Sequence, residues 1–277
     1  MSEILVSTDW LQSHLQDSDI RIIDSRWVLG KLGEGKKMYD EGHIPGAVHL
    51  DIEEHLSGKE GPGRHPIPKK RDFENVMSEL GVSRFKHIVV YDEGQGVPAA
   101  RLWWLFRYFG HEDVSVLDGG WALWMREKKE IEREVRRYEA QKYTARAKHV
   151  MVLDKKGVDS LRDDPQVQII DARAAERYRG ESEPIDARAG HIPGAENFPY
   201  TQTLDPETGK FLSLSKLKEA FQKMGTEKAE TVICYCGSGI TACTDILALK
   251  LIGIDAKLYE GSWSDWSKDS GLSIATK

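Results

Sequence analysis

Cysteine is scarce in this chain, with three residues in 277. So low and odd a count excludes a disulfide framework and fits a reduced, cytoplasmic setting. Long apolar runs are missing too. No stretch approaches the roughly 20 uninterrupted apolar residues that a membrane helix needs. The most apolar window, from Val97 to Gly110, is broken by Arg101 and Arg107. The opening Met1-Ser2-Glu3-Ile4-Leu5-Val6 puts no basic region before an apolar run, so no secretory signal is expected. Nor is there an excess of basic charge. Lys and Arg number 39 against 45 Asp and Glu, for a net charge of −6, which argues against a nucleic-acid partner. What remains is ordinary: 40% hydrophobic and 30% charged residues describe a globular protein. At roughly 150 residues per domain, the length predicts two domains.

The two domains are copies of one unit. Ile20-Arg21-Ile22-Ile23-Asp24-Ser25-Arg26 corresponds to Val167-Gln168-Ile169-Ile170-Asp171-Ala172-Arg173, and Gly42-His43-Ile44-Pro45-Gly46-Ala47 recurs as Gly190-His191-Ile192-Pro193-Gly194-Ala195. Val89-Val90-Tyr91-Asp92 then matches Ile233-Cys234-Tyr235-Cys236, and Gly119-Gly120-Trp121 matches Gly261-Ser262-Trp263, in the same order. A repeat of about half the chain means a tandem pair, not a solenoid.

Each copy reads alike. A β-branched run ending in Asp-x-Arg predicts a buried strand. The Pro and Gly of the next motif predict a turn into a short strand such as Val48-His49-Leu50. Helices are expected at 72–80 and 215–224, strands at 88–91 and 231–235. A glycine-containing loop then opens a longer helix at 99–109 or 242–252, which stops at Gly110 or Gly253. A strand at 114–117 or 256–259 closes the unit. Strands alternating with helices predict an α/β fold, a tandem pair of domains with mostly parallel sheets flanked by helices. The expected boundaries are 1–130 for the first domain, a solvated linker over 131–147 in the charge-dense stretch from Glu127 to Arg146, and 148–277 for the second.

The chemistry concentrates in Cys236-Gly237-Ser238-Gly239-Ile240-Thr241, between a predicted strand and a predicted helix. Successive N–H groups of such a turn point inward and the helix start adds partial positive charge, so the loop can cradle an anion. A thiolate placed there is stabilised by backbone rather than by a neighbouring base, which makes Cys236 the candidate nucleophile. Thr241 is expected to cap the helix. Cys234, within the strand, and Cys243, near the helix start, are read as packing residues. His149 and His191 lie far off in sequence and there is no second cysteine pair, so neither a structural metal nor a cofactor is expected. In the first copy the same loop reads Asp92-Glu93-Gly94-Gln95-Gly96-Val97. It offers no thiolate and its acidic pair would repel an anion, so the first domain is expected to be inert. A cysteine phosphatase would need Cys-x5-Arg, and that position is Ala242. Sulfur transfer needs only a stabilised thiolate able to carry a persulfide.

Taken together, Tyr39-Asp40-Glu41-Gly42-His43-Ile44-Pro45-Gly46-Ala47, Leu117-Asp118-Gly119-Gly120-Trp121, the loop from Cys236 to Thr241 and Tyr259-Glu260-Gly261-Ser262-Trp263 resemble the two-domain rhodanese family of thiosulfate and 3-mercaptopyruvate sulfurtransferases, over essentially the whole chain. The resemblance implies an active C-terminal domain whose Cys236 cycles through a persulfide. Sulfur would pass from a small-molecule donor to a thiophilic acceptor: cyanide, a thiol or a thioredoxin-like protein. The alternative is a non-catalytic persulfide carrier or sulfur sensor acting by partner docking. Family loops preferring thiosulfate tend to read Cys-Arg-Lys-Gly-Val-Thr and those preferring 3-mercaptopyruvate Cys-Gly-Ser-Gly-Val-Thr. With Gly237 and Ser238, this loop resembles the second type, and a compact dianion gains less stabilisation from it. Arg177 matches the arginine that holds the donor's anionic group. The family's second arginine falls near Asp186, with Arg188 two positions on as its expected substitute. His43 and Ser238 match proton-relay positions, although His43 and its copy His191 also read as residues that fix a turn. Trp27 resembles a pocket-lining aromatic or a packing residue. Asp24 with Arg26, and Asp171 with Arg173, read as structural ion pairs.

Overall fold

The computed structural model describes residues 3–277. The chain divides into two compact units. Unit 1 comprises Met1–Gly58, Ile67–Lys148 and Asp205–Phe211, and unit 2 comprises Lys59–Pro66, His149–Leu204 and Leu212–Lys277. The main break between the units falls at 148/149, within the expected range 148–277 of the second domain. Two excursions were not expected: the short segment 59–66 belongs to unit 2, and 205–211 belongs to unit 1.

Unit 1 is built on a five-stranded parallel sheet of β1 (Leu5–Val6), β2 (Ile20–Asp24), β3 (Val48–His49), β4 (His87–Tyr91) and β5 (Val114–Leu117), in the spatial order β1-β5-β4-β2-β3. Helices α1 (Thr8–Ser13), α2 (Glu34–Glu41), α3 (Ile52–His55), α4 (Lys70–Glu79), α5 (Pro98–Tyr108) and α6 (Gly120–Arg126) connect and follow the strands. Unit 2 repeats the plan with β6 (Val152–Leu153), β7 (Val167–Asp171), β8 (Glu196–Asn197), β9 (Thr231–Tyr235) and β10 (Ala256–Tyr259), ordered β6-β10-β9-β7-β8. Its helices are α7 (Lys155–Leu161), α8 (Ala175–Tyr178), α9 (Leu214–Lys223), α10 (Ala242–Leu251) and α11 (Ser262–Trp266). Register repeats as well, with Asp24 opposite Tyr91 and Asp171 opposite Tyr235. The central strands are buried on both faces, which is why their sequences run apolar without alternation. The two-residue edge strands β1 and β6 carry too little pattern to be read from sequence.

The repeated motifs build one device in each unit. Arg26 grips Asp24 through Nη2 at 2.6 Å, donates to the Gly42 carbonyl at 2.7 Å and lies 4.5 Å over the Trp121 ring. Arg173 likewise grips Asp171 at 2.6 Å, donates to the Gly190 carbonyl at 2.7 Å and lies 4.6 Å over Trp263. These are the expected ion pairs, tying the strand end, the Gly-His turn and the Gly-x-Trp segment together.

The stretch 131–147, expected as a solvated linker, packs along unit 1 instead. Ile131 joins that unit's core, the Tyr138 ring lies under Arg21 at 3.1 Å, and Tyr143 and Ala145 are buried. Its apolar residues are irregularly spaced, so no periodic stripe marks them. Among the described residues, no helix is long and apolar enough to cross a membrane.

Candidate functional site

Cys236 is the first residue beyond β9, where the chain turns toward α10. Its side chain is almost fully buried, and its Sγ accepts the Gly239 N–H at 3.2 Å. Gly239 has φ of +81°, a left-handed conformation that favours glycine and lets this N–H turn back onto the sulfur. The start of α11 clamps the loop from below. Trp263 N–H donates to the Cys236 carbonyl and Ser264 N–H to the Gly237 carbonyl, both at 2.9 Å, while the Ser262 hydroxyl accepts the Cys236 N–H at 3.2 Å. The Gly-Ser-Trp segment thus accompanies the cysteine loop because it holds that loop's backbone. Thr241 stands at the cap position of α10, but its side chain makes no capping hydrogen bond, contrary to expectation. Ile240 and Ser238 are buried. Cys234 is sealed in β9, and burial, followed by nearby acidic groups led by Asp245, pushes its thiol well up. Cys243 donates its S–H to the Gly239 carbonyl at 3.3 Å.

In unit 1 the equivalent cradle is taken up by a side chain of the loop itself. The Asp92 carboxylate accepts N–H groups from Gly94 at 2.8 Å, Gly96 at 3.2 Å and Ala99 at 3.2 Å. Burial pushes this carboxyl up, and those N–H bonds only partly offset it. The loop's N–H groups are thus engaged by Asp92 itself, a different arrangement from the expected repulsion by an acidic pair.

The segment 59–66 brings two further side chains to the Cys236 loop, and sequence reasoning missed both. His65 shares a hydrogen bond of 2.8 Å between its Nδ1 and the Ser238 hydroxyl. Arg64 donates its backbone N–H to the Ser264 hydroxyl at 3.1 Å and pairs through its guanidinium with Asp186. Gly63, with φ of +74°, permits this approach, because a Cβ there would come within 2.5 Å of the Gly261 carbonyl oxygen. The signal in sequence was a Gly/Pro-rich loop carrying adjacent basic residues, and nothing local showed which unit it joins.

Arg177 reaches the same place from α8. Its Nη2 bonds Glu183 at 2.6 Å and Asp186 at 3.1 Å. Burial pushes Glu183 up, but the Arg177 guanidinium and the Asp186 and Ile185 N–H groups outweigh it and hold this carboxyl below its usual range. Asp186 is pushed up by burial despite Arg64. Arg179 instead pairs with Glu181 in solvent.

Two expected site residues take other roles. Arg188, expected as a substitute clamp, spends its guanidinium on the backbone carbonyls of Trp266, Ser267, Asp269 and Leu272. It ties down the C-terminal segment. His43 is fully buried in unit 1, where it stacks on Tyr39 at 3.8 Å and bonds the Tyr39 carbonyl at 2.8 Å. His191 repeats this on Tyr178, at 3.7 and 2.7 Å, so both histidines fix their turns. Trp27 is half-buried in unit 1, three residues beyond the end of β2.

Behind the loop, on the first turn of α10, lies Asp245. It is fully buried, and neither carboxylate oxygen has a hydrogen-bond partner among the described residues. Burial, then the proximity of Cys236 and Asp171, pushes its carboxyl well up. A carboxyl raised on folding contributes stability that is present below the ordinary carboxylate range and is lost as pH rises through the folded value. Thermal midpoints of the protein and of Asp245→Asn, measured from pH 5 to 9, are expected to diverge in the wild type's favour as pH falls. Parallel curves would show that this carboxyl is not buried in its neutral form.

Two parallel-sheet units, one carrying a cysteine in a backbone cradle and one with the cradle filled by aspartate, define a duplicated sulfur-handling α/β architecture. Rhodanese-like domains match residues 7–127 and 138–269, and the chain belongs to that family. It is 38% identical over 276 residues to the 3-mercaptopyruvate sulfurtransferase of Escherichia coli K12, covering 97% of this chain and 96% of that one. It is 35% identical to a putative thiosulfate sulfurtransferase, SseB, of Mycobacterium tuberculosis, covering 96% and 95%. The crystal structure of the 3-mercaptopyruvate sulfurtransferase SseA from Escherichia coli superposes with a TM-score of 0.86 at 37% identity, over 95% of this chain and all of the other.

Proposed function

We propose that the chain is a sulfurtransferase that moves the sulfur of 3-mercaptopyruvate, or the outer sulfur of thiosulfate, to a thiophilic acceptor through a persulfide on Cys236. The observation that carries this reading is the Cys236 sulfur held against the Gly239 N–H beside a Ser238–His65 hydrogen bond. The thiolate attacks the sulfur of 3-mercaptopyruvate, an S–S bond forms and the C–S bond breaks. The electron pair of the broken bond goes to carbon as the enolate of pyruvate, which needs a proton. In this reading Ser238 delivers it, supported by its hydrogen bond to His65. With thiosulfate the leaving group is sulfite, which needs no proton. An acceptor thiol, thioredoxin or cyanide then attacks the outer sulfur and restores the thiolate. No disulfide joins the three cysteines among the described residues, which suits a reducing compartment such as the cytoplasm.

Protein treated with 3-mercaptopyruvate alone is expected to gain one sulfur atom per chain, in the peptide carrying Cys236, with an equimolar yield of pyruvate. Sulfur on Cys234 or Cys243, or pyruvate without bound sulfur, would overturn the reading. Repeated turnover with cyanide or a small thiol distinguishes an enzyme from a carrier that only docks.

A further inference from the structure

The residue after the nucleophile, Gly237, is flanked by two guanidinium groups from different parts of the chain. A Cβ built on Gly237 would stand 2.9 Å from Arg64 Nη2 and 3.5 Å from Arg177 Nη1. The positive charge that this loop lacks in its own sequence is therefore supplied beside it, by a residue of the segment 59–66 and by one of α8. Both arginines are partly open to solvent, with 28% and 18% of their side chains exposed.

They also share one carboxylate. Asp186 gives one oxygen to Arg64 and the other to Arg177, the latter at 3.1 Å, and it is itself 3% exposed. A planar carboxylate bridging two guanidiniums is thus already part of the site, and its outer neighbours remain reachable. The charge balance is informative. Arg64, Arg177 and Arg173 face Glu183, Asp186 and Asp171, three cations against three carboxylates, so the cluster is neutral overall. A neutral cluster offers little long-range attraction to a compact dianion, but it does offer directed N–H donors to a planar monoanion. Arg64 is held for this work by its backbone bond to Ser264, and its chain neighbour His65 is anchored on Ser238.

We propose that Arg64, with Arg177, clamps the 2-oxo carboxylate end of the donor and makes the site discriminate in favour of 3-mercaptopyruvate over thiosulfate. This rests on the sulfurtransferase reading above. One guanidinium edge takes the donor's carboxylate and the other its neighbouring keto oxygen, while the thiol end reaches Cys236. The contact is made in ground and transition states alike, so its loss falls mainly on KM.

The test compares Arg64→Gln, Arg64→Lys and Arg177→Gln with the unaltered protein, in steady state with each donor and in sulfur loading at saturating 3-mercaptopyruvate. For Arg64→Gln, KM for 3-mercaptopyruvate is expected to rise about tenfold or more, kcat to stay within about threefold, and the thiosulfate KM to move by less than about threefold. Arg64→Lys should recover part of the loss, since it keeps the charge without the fork. Full loading of Cys236 at saturating donor should persist in Arg64→Gln, which separates failure of the clamp from failure of the sulfurtransferase reading. An unchanged KM for 3-mercaptopyruvate in Arg64→Gln, alongside a raised one in Arg177→Gln, would reduce Arg64 to a structural partner of Asp186. Equal losses with both donors would overturn the discrimination. If Arg64→Gln unfolds, the Lys variant decides, because a folded Lys variant with an unaltered KM also overturns the proposal.

Discussion

Serine in place of Cys236 is expected to lower turnover with both 3-mercaptopyruvate and thiosulfate by about a thousandfold or more. The substitution changes one atom, and the hydroxyl can still accept the Gly239 N–H that now reaches the sulfur at 3.2 Å. The cradle, the clamp from α11 and the Ser238–His65 pair all stay in place. What is lost is the nucleophile, since a serine hydroxyl is not ionised near neutral pH and cannot store a sulfane sulfur. The thermal midpoint should therefore move by no more than a degree or two while kcat collapses. Cys234→Ala serves as the contrasting variant. That cysteine is sealed within β9, and its loss should leave kcat within about threefold while costing some stability as a small cavity. Residual activity above about a hundredth of the original in Cys236→Ser would mean that another group carries the sulfur.

The largest effect on stability is expected from Asp171→Ala. The carboxylate is fully buried, and it neutralises Arg173, whose side chain is 2% exposed. Truncating it leaves the guanidinium with the Gly190 carbonyl, the Tyr235 and Trp263 rings and the Glu183 carboxylate at 3.3 Å, which Arg177 already shares, so the missing charge is only partly made good. Breaking one partner of such a pair costs about 3–5 kcal/mol. That should lower the thermal midpoint of unit 2 by about 10 °C or more. The double variant Asp171→Ala with Arg173→Met removes both charges and should recover much of the loss. A single variant no less stable than the double one would show that the pair is solvated rather than sealed. Asp24→Ala should produce a matching loss in unit 1, where Arg26 is equally enclosed.

The parts of this architecture legible in the sequence are those with a partner in the other copy. The Asp-x-Arg strand ends, the Gly-His-Ile-Pro-Gly-Ala turns and the Gly-x-Trp segments stand out because each occurs twice, and they prove to be the pieces of one ion-pair device. Cys236 stands out for the opposite reason, as the position where the copies differ. The residues that stayed hidden have no counterpart. Arg64 and His65 lie in the first half of the sequence, yet unit 2 holds them through Ser264, Asp186 and Ser238, and linear order carries no trace of that. Arg188 has the side chain of a substrate clamp and sits at nearly the expected position. Its role is decided by four carbonyls of the C-terminal segment that no spacing rule reveals. The strap 131–147 was misread because packing against a finished surface requires a few apolar residues in the right places and no period.

Segment 59–66 also bears on how such a protein can be divided. A fragment cut at the junction after residue 148 would retain Cys236, its cradle and the α11 clamp, but it would leave its histidine and one of its two arginines on the other piece. The sequence repeat and the compact unit therefore have different borders. A single-domain version of unit 2 would have to carry the segment 59–66 with it, or rebuild what that segment contributes.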